Sequence, residues 1–422
     1  MSVRKTILLM AAILVVLTVL LYTTGCCSTI SYLFRKKPAE TKTNKQSDKM
    51  AESVDQGLVS LNTDFALKIF KELSNEDKNT NVFISPISIS LAAAMAYNGA
   101  KNSTQQEIAE TLEFKDYNIE ELNSSFKVLL SSMTDIDEMV QIYTGNSIWC
   151  RKDFSIEKDF TDLAGNYYNA SIYNEDFNNP DTAGKMNDWV SKATEGKISN
   201  IVNPQALKDA VMYLVNAIYF KGQWTDKFKV EDTKEDDFFL IDKNIKKVQM
   251  MTNNKKYEYY EGDDFQMIRM PYGRGKAAMY VLLPNEGIGI NDFTNSLSRD
   301  LLNKYISEAI STEAMLKFPR FNVEYGAKSL IEPLKNLGMV NAFSAEKADF
   351  SSIAPLMFIS QIEHKAIIEV NEEGTVAAAA SSFGMGATAV RPVEFIVNRP
   401  FILLIRDDRT GNILFMGKIL EP

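Results

Sequence analysis

A chain of 422 residues with 45% apolar and 10% aromatic content has ample material for a large core. Its formal charge of −9 and pI near 5.1 argue against a nucleic-acid-binding body, which would carry a basic face. Three cysteines cannot make a disulfide framework, and a single histidine cannot supply a zinc site.

Residues 1–25 read as an export signal. Arg4 and Lys5 form a basic start, Thr6 to Tyr22 is continuously apolar, and small residues precede Cys26 and Cys27. The ending resembles a lipoprotein signal with Cys26 lipidated, although Thr23 stands where that pattern carries leucine. An uncleaved membrane anchor is the alternative, since the apolar run is just long enough to span. Either way the body is expected at the extracellular face of the cell membrane, or secreted. Residues 26–57 are expected to be a flexible spacer, because Lys36 to Gly57 is polar, charged and without aromatics.

The body, 58–422, has no second linker and no internal repeat, which predicts one domain. Phe65, Ile69, Phe70 and Leu73 form a helical stripe. Ser85 and Pro86 read as the N-cap and first residue of a second helix. Ser103 and Gln106 have capping-box spacing for a third. Asn102, Asn123 and Asn169 begin glycosylation sequons. Cys150, after Ile148 and Trp149, reads as a small buried hydrophobe. Residues 211–220 are almost continuously apolar, as in a strand covered on both faces, and 277–284, 395–405 and 412–420 are similar.

Residues 358–370 alternate. Phe358, Ser360, Ile362, His364, Ala366, Ile368 and Val370 are expected on a core face, with Gln361, Glu363, Lys365 and Glu369 opposite. His364 then reads as a satisfied core histidine, and no G-x-S-x-G elbow accompanies it. Helices first and strands later give an α+β class with a large central mixed sheet and further sheets. Next comes "EEGTVAAAASSFGMGATA", which composition alone makes a linker. Only about thirty residues of strand follow for it to connect.

From about Asn81 to Pro422 the chain resembles the serpin family. The resemblance is carried by "NVFISPISISLAAAMAYNGAKNSTQQEI", "NAIYFKGQWTDKF", "LKNLGMVNAFSAEKADFSSI", "IEHKAIIEVNEEGTVAAAA" and "NRPFILLIRDDRTGNILFMGKILEP", in that order. With the leader, it points to a prokaryotic-type exported member. It implies that Asn81, Ser85, Ser88, Asn216 and His364 form a "shutter" where the central sheet opens. Trp224 falls on the "breach", where a reactive-centre loop, about 372–392, first enters. The loop's hinge would be Glu372, Glu373, Gly374, Thr375, Val376, Ala377, Ala378, Ala379 and Ala380. Val376 stands where many members carry glutamate.

As an inserted strand, the loop would set Thr375, Ala377, Ala379, Ser381, Phe383 and Met385 on one face. Fully extended, Gly374 to Ala389 would span on the order of 50 Å, at about 3.3 Å per residue. The function implied is irreversible suicide inhibition of serine, or cysteine, endopeptidases. The protease cuts the loop, an acyl-enzyme forms, and insertion traps it covalently. Such a chain is no enzyme and needs no cofactor or metal. It acts as a monomer, with its target protease and, through the anchor, a membrane as partners.

Family spacing forward from Gly374 puts the residue before the cut at Thr388, whereas spacing back from "NRPF" gives Ala389. Small residues there suit an elastase- or subtilisin-like target, while Pro392 spoils Arg391 as a trypsin-like site. Two alternatives stand beside this. One is a non-inhibitory serpin with a binding or chaperone-like role, for which the hinge is unusually permissive. The other is an exported hydrolase using His364.

Overall fold

Helices crowd the first third of the computed structural model, which describes residues 42–134, 136–375 and 392–422. They are α1 (Lys42–Glu52), α2 (Gln56–Glu76), α3 (Pro86–Gly99), α4 (Asn102–Thr111) and α5 (Ile119–Met133), followed by α6 (Lys158–Tyr168) and α7 (Asp181–Ala193) between strands. Asp55 caps α2 by accepting from the Gly57 and Leu58 N–H groups, and the stripe Phe65, Ile69, Phe70 and Leu73 is wholly buried. α3 begins after Ser85 with Pro86 in its first turn, as expected. It is apolar all round and nearly every residue is buried, which makes it a core helix.

Two expectations fail here. The flexible spacer does not reach Gly57, because Lys42–Glu52 is helical and Ala51 and Val54 are buried. Composition could not show the groups that hold this helix. Asp48 meets Lys276 Nζ at 2.6 Å and Arg409 Nη1 at 3.4 Å, and Ser47 Oγ donates to Ser132 O. Nor do Ser103 and Gln106 form a capping box. α4 starts two residues earlier than a Ser103 cap requires, at Asn102 after Lys101, and Gln106 Nε2 donates forward to Glu110.

The strands build two sheets. The larger contains β1 (Val82–Ile84), β5 (Lys234–Phe239), β6 (Ile245–Glu261), β7 (Phe265–Tyr272), β8 (Ala277–Pro284), β9 (Ile310–Pro319), β13 (Val393–Ile396), β14 (Phe401–Asp407) and β15 (Ile413–Ile419). Its order is β1-β15-β14-β8-β7-β6-β9-β13, with β5 on β6. The run 395–405 is thus two strands on different neighbours, broken at 397–400.

The central sheet contains β2 (Val140–Arg151), β3 (Ser171–Glu175), β4 (Met212–Gln223), β10 (Phe321–Ser329), β11 (Ile359–Val370) and the two-residue β12 (Gly374–Thr375), in the order β10-β11-β4-β2-β3 with β12 on β4. β11 and β4 are parallel neighbours, in register from Ile359↔Met212 to Ile367↔Tyr219, with a bulge near Ser360. β10 with β11 and β2 with β4 are antiparallel, so the sheet is mixed. The main core and α3 lie behind it. On its other face α7 and the chain after it form a second apolar cluster, including Val190, Ile198 and Ile201 against Tyr213, Val215 and Ile367.

That second layer alters the alternation expected for 358–370. The even residues from Ile362 to Val370 do face the core, but Glu363 and Lys365 are buried as well. Lys365 Nζ donates to Ser199 O at 3.0 Å, on the crossing segment, and pairs with Glu324 of β10 at 2.6 Å.

Candidate functional site

Where β11 and β4 run side by side, a polar cluster lies beneath them. His364 pairs in register with Asn216, and Asn216 with Asn146 of β2. The His364 ring is wholly buried. Its Nε2 accepts the Ser85 N–H at 3.1 Å, which leaves the proton on Nδ1, 3.2 Å from Asn216 Oδ1. Asn216 Nδ2 donates onward to Asn146 Oδ1 at 2.6 Å. Burial drives the imidazole down to about 3, so it stays neutral. The Ser85 and Ser88 hydroxyls, at the start of α3, are buried and have no hydrogen-bond partner among the described residues.

Of the five expected shutter residues, four gather here. Asn81 does not: its Oδ1 accepts from the Leu420 and Glu421 N–H groups and its Nδ2 donates to Glu421 O, so it clips the C-terminus. Asn146 was missed. Its only sequence signal is an amide in an otherwise buried strand, and its partner is seventy residues away.

The upper end of the sheet is built around Trp224. The indole stacks on Tyr272 at 4.4 Å and donates its Nε1–H to Asn371 O at 2.9 Å. Its backbone N–H reaches Glu373 O at 2.9 Å, and Phe228 N–H reaches Glu372 O at 2.9 Å. Glu372 is buried, with Thr233 Oγ1 donating to its carboxylate at 2.8 Å, and Glu373 pairs with Lys227 at 2.5 Å.

The chain then reverses between Asn371 and Gly374, which hydrogen-bond to each other. Gly374 has φ +142°, and a Cβ there would stand 2.2 Å from Gly222 O and 2.6 Å from Gln223 Cα. Only glycine fits. Thr375 follows, wholly buried, its Oγ1 3.0 Å from the Tyr272 hydroxyl. Gly374 and Thr375 pair antiparallel with Gln223 and Gly222 of β4. Gly374 and Thr375 therefore already start a strand on β4, just beyond the last β11–β4 pair. Among the described residues, no strand separates β11 from β4.

Val376, Ala377, Ala378, Ala379, Ala380, Thr388, Ala389 and Cys26 lie outside the described residues. Cys150 is a buried free thiol, pushed up to about 12 by burial, in keeping with a structural role. The hydrolase alternative fails, because both His364 nitrogens are committed and the ring is sealed from solvent.

The model of the family described as "Serpin (serine protease inhibitor)" matches residues 60–422. The chain belongs to the serpin family. A serpin of this kind is an inhibitor-family protein and not an enzyme. Leukocyte elastase inhibitor A of Mus musculus is 34% identical over 379 residues, covering 86% of this chain and 99% of its own. The crystal structure of tengpin, a thermophilic serpin in the native state, shares 32% identity with a TM-score of 0.80, covering 87% of this chain and 95% of that one. Human thyroxine-binding globulin complexed with its hormone is 29% identical with a TM-score of 0.79, covering 87% and 98%. The curated relatives reported by name are animal proteins and lend no support to the prokaryotic-type exported character expected from the leader.

Proposed function

We propose that this serpin is a monomeric suicide inhibitor of serine endopeptidases with an elastase- or subtilisin-like target. One observation carries the reading: Gly374 and Thr375 are seated antiparallel on β4 at the point where β11 leaves it. A strand continuing from Thr375 would run antiparallel to both parallel neighbours, replacing one slanted ladder with two antiparallel ones. Each step along the loop is then one step back along β4. Thr375↔Gly222 becomes Ala377↔Phe220, Ser381↔Asn216 and Met385↔Met212. Ten new residues would join the sheet, worth on the order of 10 kcal/mol at about 1 kcal/mol per net hydrogen bond. The shutter lies across that path, and its two unpartnered serines are groups an open sheet could satisfy.

The relatives named as elastase inhibitors agree with small residues at Thr388 and Ala389. The thyroxine-binding globulin likeness favours a non-inhibitory carrier, but small hinge residues favour insertion. The basic start and apolar run of the leader support an anchored or secreted location, with lipid on Cys26 or an uncleaved signal. The mass of the mature N-terminus decides between these.

The test is incubation with elastase-, subtilisin- and trypsin-like proteases. An SDS-resistant complex and a large rise in melting temperature after loop cleavage are expected. Cleavage with neither rejects the proposal. Sequencing the released fragment separates Thr388–Ala389 from Ala389–Val390 as the bond cut.

A further inference from the structure

After α7 the chain crosses the central sheet as a strap, 194–210, before it enters β4. Ile198, Ile201 and Val202 of the strap pack with Tyr213 and Val215 of β4 and with Ile367 of β11. Two polar contacts fasten it further to β11. Ser199 O accepts from Lys365 Nζ at 3.0 Å, and Lys197 pairs with Glu369 at 3.0 Å. The strap is thus tied to both strands between which the loop would enter. A new strand there moves them apart by one more interstrand spacing, about 4.8 Å. The strap has to let go of one of them first.

Glu363 is buried on this face, in register with Val215 of β4 and Ser329 of β10. Among the described residues no hydrogen bond or ion pair reaches it. The charged groups around it are turned elsewhere. On β11, Lys365 is committed to Glu324 and Ser199 O. On β10, Lys328 pairs with Glu76 and Asp77. On α7 and the strap, Asp188, Lys192, Glu195, Lys208 and Asp209 are exposed, and Lys197 holds Glu369. On β4, burial and then the Glu363 carboxylate push the Tyr213 hydroxyl up, so it stays neutral. Burial alone pushes Glu363 up to about 7, against 4.5 for a carboxyl in water.

We propose that Glu363 is a pH gate on loop insertion: its ionised form loosens the strap and its protonated form keeps the strap closed. This rests on the inhibitory reading, in which the seat of Gly374 and Thr375 says where the loop enters but not when the sheet admits it. Ionising Glu363 beneath the strap strands a carboxylate without a partner, whereas water solvates it once the strap lifts. The strap is held fully below 4.5, progressively less as pH rises through about 7, and is no looser beyond that. A chain with this gate traps proteases in neutral surroundings and is cut as a substrate in acidic ones.

Hydrogen exchange across 194–210 in the full, uncleaved chain tests this. Each rate, divided by the intrinsic exchange rate at the same pH, reads how often the strap opens. Wild type should open about 10-fold more often at about pH 8 than at about pH 5.5. Glu363→Gln and Glu363→Val, both uncharged, should open equally at the two. A wild-type strap whose opening does not change with pH overturns the proposal, as does either variant keeping the wild-type slope. The link to insertion is read with a susceptible protease, as moles of chain consumed per mole inhibited. Wild type and Glu363→Gln should match at about pH 5.5, and the variant should be consumed in excess at about pH 8. Equal consumption at the higher pH also overturns the proposal. If the exchange slope is present and no SDS-resistant complex forms at either pH, the gated strap stands and the trapping reading falls.

Discussion

Replacing Thr375 with arginine tests whether entry of the hinge into the central sheet drives inhibition. Thr375 is wholly buried, its Oγ1 lies 3.0 Å from the Tyr272 hydroxyl, and its neighbour on β4 is Gly222. Tyr272 is itself sealed beneath Trp224, and the group that Thr375 Oγ1 meets there is a hydroxyl, which cannot neutralise a guanidinium. Burying an unpaired charge costs several kcal/mol, so the arginine leaves the seat on β4 in the uncleaved chain and meets that cost when the strand has to enter. Even about 3 kcal/mol added to the insertion barrier slows it roughly 10²-fold. Insertion competes with hydrolysis of the acyl-enzyme, so a slowdown of that size turns an inhibitor into a substrate. The assay is titration of a susceptible protease, reading the moles of chain consumed per mole inhibited and the SDS-resistant complex on a gel. Thr375→Ser, which keeps the hydroxyl, should stay near one to one, while Thr375→Arg should be cleaved with little complex. Near-stoichiometric inhibition by Thr375→Arg would refute the reasoning.

His364→Ala should destabilise the uncleaved chain by about 2–5 kcal/mol, since the buried Ser85 N–H and Asn216 side chain both lose a partner; a urea midpoint within error of wild type argues against the network. Two adjacent buried groups set opposite pH slopes. His364, held down to about 3 by burial, contributes stability that is complete above 6.5 and lost as pH falls toward 3. Glu363, pushed up to about 7 by burial, contributes stability that is complete below 4.5 and lost as pH rises through about 7. Glu363→Gln should therefore remove a decline on the order of 3 kcal/mol between pH 4.5 and 7; urea midpoints at about pH 5 and 7.5 that differ as in wild type would contradict this. In a glycosylating host, Asn102 and Asn169, both exposed, can carry glycan, whereas Asn123 should not. It is buried in α5, with Nδ2 donating to Asn98 Oδ1 at 2.8 Å and Oδ1 accepting from Tyr168 at 2.6 Å. Peptide mapping checks each sequon.

What the sequence determined by itself was local. The spacing of Phe65, Ile69, Phe70 and Leu73 specified the buried stripe of α2, and the alternation of Ile362, His364, Ala366 and Ile368 assigned one face of β11 to the core. Those periods are properties of a helix or a strand, whatever packs against it. The family resemblance then carried the fold and the order of its parts. Only the tertiary structure decided what covers a second face and which distant groups meet. Glu363 and Lys365 alternate like solvent-facing residues, yet the chain after α7 crosses over them. Lys42–Glu52 has the composition of a spacer, yet Lys276 and Arg409 hold Asp48. Asn81 sits near Ser85 and Ser88 in sequence but serves the C-terminus, while Asn146 extends the His364–Asn216 hydrogen-bond chain to β2. A hydrogen bond between residues seventy or more positions apart leaves no periodic trace in the chain. For the same reason the seat of Gly374 and Thr375 on the end of β4 existed only once β4, β7 and β11 had been brought together.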